Sequence, residues 1–143
     1  MNAMNLPLDL IAADSNEPRA LRNLLGQFAT GVTVITTRGA DGRKVGMTAN
    51  SFSSVSLDPP LVLWSLARTA PSVNDFLVAS HFAINVLGSD QHGLSGHFAR
   101  PAADKFVGIE HVEATAGVPL LDGAIATLVC RNLTQRRPPD LPR

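Results

Sequence analysis

The stretch from residue 46 to residue 61 limits the choice of fold more than any other part of the chain. It begins like a β-strand, but its middle is small and polar, in the order Thr48, Ala49, Asn50, Ser51. It stops at Asp58-Pro59-Pro60 and resumes at once as an apolar strand. So little side-chain bulk leaves backbone amides and short side chains able to lie against something flat and polar. The residues alone also fit a strand whose small side chains only permit close packing or a bulge.

A β-hairpin is predicted immediately before this stretch. Residues 32–37 are all β-branched, which favours a strand. Residues 39–42 contain two glycines and supply a turn, and residues 44–47 return as the partner strand. Further strands are predicted over residues 61–66, 81–87, 110–113 and 124–132. The chain is therefore expected to be mainly β.

Three helices are predicted between these strands. The first begins at Ser15 or Asn16 and ends at Gly31, with the apolar stripe Leu21, Leu24, Leu25 and Phe28. In the second, Ser72 is expected to cap a helix with an apolar side made of Val73, Phe76 and Leu77. The third runs from Gln91 to about Phe98. Short strands joined by hairpins, with helices between them, favour a small barrel decorated by helices, although periodicity alone does not separate it from other α+β folds.

Composition narrows the class of protein. With 143 residues, 45% of them hydrophobic, the chain can bury the core of one domain. Lys plus Arg and Asp plus Glu both number 12, so neither a nucleic acid nor a membrane is expected as a partner. No apolar run approaches the roughly 20 residues of a membrane span, and the N-terminus lacks a signal-peptide pattern, which predicts a cytoplasmic protein. We expect a flexible leader over residues 1–15, a domain over 16–132 and an irregular Pro/Arg-rich tail over 133–143.

Together with residues 65–68 and Asp104-Lys105-Phe106, the stretch over 46–64 resembles the flavin reductase-like proteins. The resemblance runs from about residue 21 to residue 129. It implies an FMN-binding split β-barrel, a bound flavin that is FMN or FAD, and NADH or NADPH as electron donor. It also implies an NAD(P)H:flavin oxidoreductase, usually a homodimer, that often supplies reduced flavin to a separate monooxygenase. The cofactors carry this chemistry, so no catalytic acid, base or nucleophile is predicted.

The resemblance also implies which residues bind the flavin. Its ring and ribityl chain would lie against Thr48, Ala49, Asn50 and Ser51, and its phosphate against Ser65, Arg68 and Ser72. An arginine beside a helix N-terminus suits a phosphate. Taken singly, however, Ser72 also reads as an ordinary N-cap and Arg68 as an ordinary surface charge. Lys105 and Phe106 would form part of the pocket wall. The alternative is that Phe98 and Phe106 are core residues and that Asp104 and Lys105 form a local surface pair.

No metal site or disulfide is predicted. Of the histidines only His92 and His97 are close in sequence, and a spacing of five does not place both on one helical face. Cys130 is the only cysteine, which excludes an internal disulfide, and it lies in an apolar run where burial is expected.

The C-terminal residues depart from the family pattern. Related proteins usually continue through a further β-hairpin, whereas residues 133–143 contain Pro138, Pro139 and Pro142, each of which removes a strand donor. The expected barrel is therefore either incomplete at its C-terminus or covered by another segment or subunit. This leaves two alternatives to an active reductase: a flavin-binding protein with little or no turnover, and a non-functional remnant.

Overall fold

The computed structural model describes residue 19, residues 32–49, the backbone of residues 53–57, and residues 60–67 and 69–133. Apart from Arg19, which is helical and exposed, the predicted first helix lies outside the described residues. Residues 1–15 and 134–143 also lie outside them. In the part of the chain that is described, no helix is long and apolar enough to cross a membrane.

The described residues are mainly β-structure with short helices, which confirms the predicted class. The strands are β1 (Thr33–Arg38), β2 (Lys44–Ala49), β3 (Ser53–Leu57), β4 (Pro60–Leu63), β5 (His81–Val86), β6 (His111–Glu113), β7 (Pro119–Leu121) and β8 (Ala126–Arg131). The helices are α1 (Val73–Val78) and α2 (His92–Ala99), and a single 3₁₀ turn covers Thr115–Gly117.

Four antiparallel strands form the central sheet, in the order β2-β1-β5-β8. The predicted β1–β2 hairpin is confirmed, with Thr33 opposite Ala49 and Arg38 opposite Lys44. Two smaller sheets pair β3 with β4 and β6 with β7. Among the described strands, β2 is an outer strand of the central sheet, so one side of its backbone is not covered by a neighbouring strand.

Hydrophobic clusters cover both faces of the central sheet, because successive side chains of a strand point to opposite faces. The first cluster contains Ile35, Val45, Phe76, Phe82, Ile84, Leu128 and Cys130. Trp64 packs against it, edge-on to Phe76 with ring centroids 4.9 Å apart. The second cluster contains Val34, Leu87, Phe98, Phe106 and Leu121. Helix α1 thus adds Phe76 to one face and α2 adds Phe98 to the other.

A buried asparagine joins β7 to the central sheet. Asn85 has no exposed surface, and its Nδ2 donates to the Val34 carbonyl at 2.8 Å and to Thr36 Oγ1 at 3.0 Å. Its Oδ1 accepts a hydrogen bond from the Leu121 amide at 3.0 Å. The Thr36 hydroxyl in turn donates to the Pro119 carbonyl at 2.6 Å. Strand β7 was not predicted from the sequence.

Several predicted elements need correction. The strand predicted over residues 61–66 ends at Leu63. Trp64 and Leu66 lie beyond its end and pack against the first cluster, as Val62 does within the strand. Leu77 was predicted to lie on the apolar side of its helix but is 41% exposed, since α1 is only six residues long and buries Phe76 alone. The predictions for β5, β6, β8 and α2 are confirmed to within one or two residues.

Candidate cofactor-binding site

A pocket of about 390 Å³ lies along the outer edge of β2. One side is formed by residues 70–72, just before α1, and the other by the end of α2 and the segment that follows it. The described residues that line it are Arg43, Lys44, Val45, Gly46, Met47, Thr48, Ala70, Pro71, Ser72, Phe98, Ala99, Pro101, Ala102, Ala103 and Lys105. Much of this wall is apolar, and the strand edge supplies polar backbone groups.

The hydrogen-bond phase of the hairpin shows which backbone groups face the pocket. In an antiparallel pair, alternate residues bond to the same neighbour. The Gly39 amide donates to the Arg43 carbonyl at 2.8 Å, so position 43 is hydrogen-bonded to the opposite side of the hairpin. Every second residue after it, namely Val45, Met47 and Ala49, therefore also bonds to β1. The backbone groups of the intervening residues 44, 46 and 48 are therefore directed away from β1, toward the pocket. In agreement, the Gly46 carbonyl accepts a hydrogen bond from Lys105 across this edge.

Close packing between β2 and α2 explains the small residue at position 46. A Cβ on Gly46 would lie 2.7 Å from Cδ1 and from Cε1 of the Phe98 ring. That ring is fully buried and packs edge-on against Phe106, with centroids 5.2 Å apart. The Thr48 hydroxyl donates to the Ser95 carbonyl of α2 at 2.6 Å. These contacts hold the apolar wall of the pocket at a set distance from the strand edge.

Lys105 connects the segment after α2 to the strand. Its Nζ donates to the Gly46 carbonyl at 3.1 Å and to the Phe98 carbonyl at 2.8 Å. Its own carbonyl accepts a hydrogen bond from His97 Nε2 at 2.5 Å. Burial lowers the pKa of the Lys105 ammonium below its ordinary value of 10.5. An ammonium has three N–H donors, and the described residues accept hydrogen bonds from two of those of Lys105. The third donor can serve a ligand, because the Lys105 side chain lines the pocket.

The charges around the pocket favour an anion. Arg43, Lys44 and Lys105 line it, and no Asp or Glu is among its described lining residues. Arg43 pairs with Asp75 of α1 at 2.7 Å, which holds the guanidinium beside the residues that precede that helix. Concave surfaces lined by one sign of charge concentrate ligands of the opposite sign.

The structure brings three of the predicted site residues together in this pocket: Thr48, Ser72 and Lys105. Ala49 packs on the first hydrophobic cluster, and Phe106 lies behind Phe98. Ser65 is exposed and is not one of the described lining residues. The other three predicted residues, Asn50, Ser51 and Arg68, lie outside the described residues.

Two local predictions are wrong. Ser72 occupies the N-cap position of α1, but its hydroxyl makes no capping hydrogen bond. Its φ of −93° and ψ of 5° differ from the extended conformation that directs a capping side chain to the first amides. The alternative for the segment after α2 is half confirmed, because Phe98 and Phe106 are both buried in the second hydrophobic cluster. Its other half, a surface Asp104–Lys105 pair, is wrong, because Asp104 Oδ1 accepts from the Phe106 amide at 2.9 Å while Lys105 donates to carbonyls.

The sequence reasoning did not identify Arg43, Lys44, Gly46 or residues 99–103 as lining residues. Strand periodicity could have identified two of them. Lys44 and Gly46 precede Thr48 at intervals of two along β2, so their backbone groups must face the same edge. No comparable signal marked residues 99–103, whose position depends on how α2 packs.

Residues 25–138 match the flavin reductase like domain. This chain belongs to the flavin reductase-like family. It is 48% identical over 115 residues to the reductase component of a flavin-dependent trigonelline monooxygenase from Acinetobacter baylyi, covering 80% of this chain and 37% of that protein. It is 43% identical over 132 residues to the FMN reductase (NADH) SmoA of Agrobacterium fabrum, covering 92% of this chain and 75% of SmoA.

A solved structure supports the same family. The Streptomyces globisporus NADH:FAD oxidoreductase SgcE6, in complex with NAD and FAD fragments, superposes with a TM-score of 0.64 at 40% identity. The match covers 87% of this chain and 73% of that chain. The expected split-barrel fold of the flavin reductases is thereby confirmed. The chain spans only part of its relatives, from 37% of the Acinetobacter protein to 75% of SmoA.

Cys130 is not one of the described residues that line the pocket. Cys130 is 1% exposed in β8, as predicted, and burial raises the pKa of its thiol to about 12. No group of three or more His, Cys, Asp or Glu side chains within the described ranges could hold a metal ion. The pocket along β2 is therefore the site from which we argue function.

Proposed function

We propose that this protein is an NAD(P)H-dependent flavin reductase that binds FMN or FAD in the pocket along β2. The observation that carries the proposal is the strand edge at residues 44, 46 and 48, which faces a largely apolar pocket. A flavin ring has apolar faces and a polar rim of carbonyl and N–H groups. The ring faces fit against the exposed side chains of Ala99, Pro101 and Ala102, and its rim fits the strand edge. The relatives named for FMN and FAD reduction support this assignment.

A bound flavin would supply the hydride-accepting chemistry, and the residues of this chain would contribute orientation, charge and exclusion of water. The backbone of β2 orients the polar rim of the ring. Lys105 keeps the wall after α2 closed against the strand. The cations Arg43 and Lys44 balance phosphate charge. On the resemblance we also propose that ring contacts come from Thr48, Ala49, Asn50 and Ser51, that phosphate contacts come from Ser65, Arg68 and Ser72, and that Lys105 and Phe106 form the wall.

The test is NADH and NADPH oxidation by the purified protein, with and without added FMN or FAD, against a protein-free control. We expect flavin-dependent loss of nicotinamide absorbance well above that control. Flavin binding, measured by fluorescence quenching, separates binding from turnover. Tight flavin binding without turnover would refute the reductase and leave a flavin carrier, and absence of binding would refute both.

A pocket-filling variant tests where the flavin binds. Ala102→Phe places a ring in the pocket, whereas Ala40→Phe adds the same ring to an exposed turn outside its lining. We expect Ala102→Phe to abolish flavin binding and Ala40→Phe to retain it. Unchanged flavin affinity in Ala102→Phe would mean that the flavin binds elsewhere.

We further propose that the protein is a cytoplasmic homodimer that supplies reduced flavin to a separate monooxygenase. The name of the Acinetobacter relative, a reductase component, supports the partner. Exposed apolar side chains support self-association, among them Val107 at 73%, Val78 at 60% and Leu63 at 57% exposure. Light scattering is expected to give twice the monomer mass of 15.1 kDa.

A further inference from the structure

Lys44, the first residue of β2, is held by two side chains of β6. Its Nζ lies 2.9 Å from Nε2 of His111 and 3.8 Å from Oε1 of Glu113. His111 and Glu113 are two residues apart on one strand, so they lie on the same face of β6. Lys44 also lines the pocket at the end where β2 begins. The three residues therefore connect the cofactor pocket to a strand that does not line it.

The hydrogen bonds determine the direction of this contact. His111 Nδ1 lies 2.7 Å from the Ile109 carbonyl, which can only accept, so Nδ1 carries the ring proton. In that tautomer Nε2 is an acceptor, and the Lys44 ammonium donates to it. The ring is also held by Phe106, edge-on with centroids 5.2 Å apart. His111 is thus a rigid acceptor that orients the ammonium without neutralising its charge.

Glu113 does not neutralise Lys44 fully either. Its carboxylate is shared with Arg38, to which it is closer than to Lys44. The Lys44 side chain is 31% exposed, so part of it remains accessible to a ligand. A lysine whose side chain is already ordered loses less conformational entropy when it binds a ligand. The positively charged ammonium of Lys44 is therefore held in position at one end of the pocket before a ligand binds.

We propose that Lys44 is a specificity-determining residue that binds a phosphate group of the nucleotide cofactor, and that His111 and Glu113 are its positioning residues. The proposal rests on the proposed function of the pocket. Charge-assisted hydrogen bonds to phosphate are stronger than those between neutral groups, so losing this one weakens binding measurably. The phosphate belongs either to the flavin or to the nicotinamide dinucleotide, and the experiment separates the two.

The experiment compares each cofactor with an analogue that lacks phosphate. Riboflavin is compared with FMN for flavin affinity, and N-benzyl-1,4-dihydronicotinamide is compared with NADH as hydride donor. Lys44→Met removes the charge and keeps most of the side-chain length. Arg131→Met is the matched control, since it removes one positive charge from the exposed end of β8 at the opposite edge of the sheet.

For Lys44→Met we expect about a tenfold loss of affinity for the phosphate-bearing ligand, since losing one such contact costs about 1.4 kcal/mol or more. The phosphate-free analogue and kcat at saturation are expected to stay unchanged, as is every property of Arg131→Met. A selective loss for FMN identifies the flavin phosphate, and a selective rise in KM for NADH identifies the dinucleotide. No loss, or an equal loss for ligands with and without phosphate, would overturn the proposal.

The positioning role is tested by a double-mutant cycle. His111→Phe keeps a ring against Phe106 but removes the acceptor for Lys44. We expect a smaller phosphate-selective loss in His111→Phe, and no further loss when it is added to Lys44→Met. Additive losses would overturn the role of His111. If the wild type oxidises NADH or NADPH and Lys44→Met behaves like it, only this proposal is refuted. If the wild type binds neither FMN nor FAD, the proposed function is refuted as well.

Discussion

Replacing Gly46 by alanine tests the close approach of β2 and α2 that shapes the pocket. The new Cβ would lie 2.7 Å from two ring carbons of Phe98 and 3.4 Å from Cζ of Phe106. A separation of 2.7 Å is well below the usual contact between carbon atoms of about 3.5 Å or more. The Phe98 ring has no exposed surface and packs against Phe106, so it cannot rotate into solvent to relieve the clash.

Two opposing effects determine the size of the change. Adding a methyl group to a well-packed core costs about 1–3 kcal/mol. Replacing glycine by alanine recovers about 0.4–1 kcal/mol, because the unfolded chain has fewer conformations to lose. We therefore expect Gly46→Ala to lower the free energy of unfolding by about 1–2 kcal/mol. Because Gly46 itself lines the pocket, a shift of β2 away from Phe98 should also lower flavin affinity in this variant.

The assay is equilibrium unfolding in urea, comparing midpoints at constant slope. Gly93→Ala is the matched control, because Gly93 is exposed in α2 and a Cβ there meets no atom within 4 Å. It is expected to stabilise the protein by up to about 1 kcal/mol. The double variant Gly46→Ala/Phe98→Leu should lose less free energy of unfolding than the sum of the losses in the two single variants. If Gly46→Ala is as stable as wild type, or if the two changes are additive, the packing argument is wrong.

Two further predictions concern buried groups of the central sheet. Because burial raises the pKa of Cys130 from 9.0 to about 12, the unfolded chain loses this proton first, and the free energy of unfolding falls as pH rises between those values. One pH unit above 9.0, the thiol should lower the free energy of unfolding of the wild type, measured in urea, by about 1.4 kcal/mol, and Cys130→Ala should not show this loss. An equal fall in the free energy of unfolding of both proteins would contradict the prediction. Asn85→Leu leaves the buried Leu121 amide without its acceptor and removes both donated bonds, so we expect a loss of about 3 kcal/mol or more. The exposed control Asn74→Leu in α1 should change stability by less than about 0.5 kcal/mol, and similar losses in the two variants would count against the network.

Local features of the sequence were sufficient to predict the elements that begin and end with clear signals. The hairpin of β1 and β2 follows from a β-branched run, a turn with two glycines and a return strand. Helix α2 and strands β5 and β8 follow in the same way to within one or two residues. The small, polar stretch after Gly46, together with Lys105, led to the family and to part of the pocket. Backbone conformation in these segments depends mainly on residues that are neighbours in sequence, which is why pattern alone identifies them.

Only the tertiary structure decided which distant residues meet. Lys44 and His111 are 67 residues apart and come together because β6 packs beside the hairpin. Lys105 binds the carbonyls of Gly46 and Phe98 rather than its neighbour Asp104, because α2 packs against β2 and both carbonyls lie within reach of the ammonium. Gly46 must be small because of Phe98, a residue on another element. Such contacts depend on sheet order and on how helices pack against the sheet, and both are set by the burial of the whole core rather than by any local run of residues.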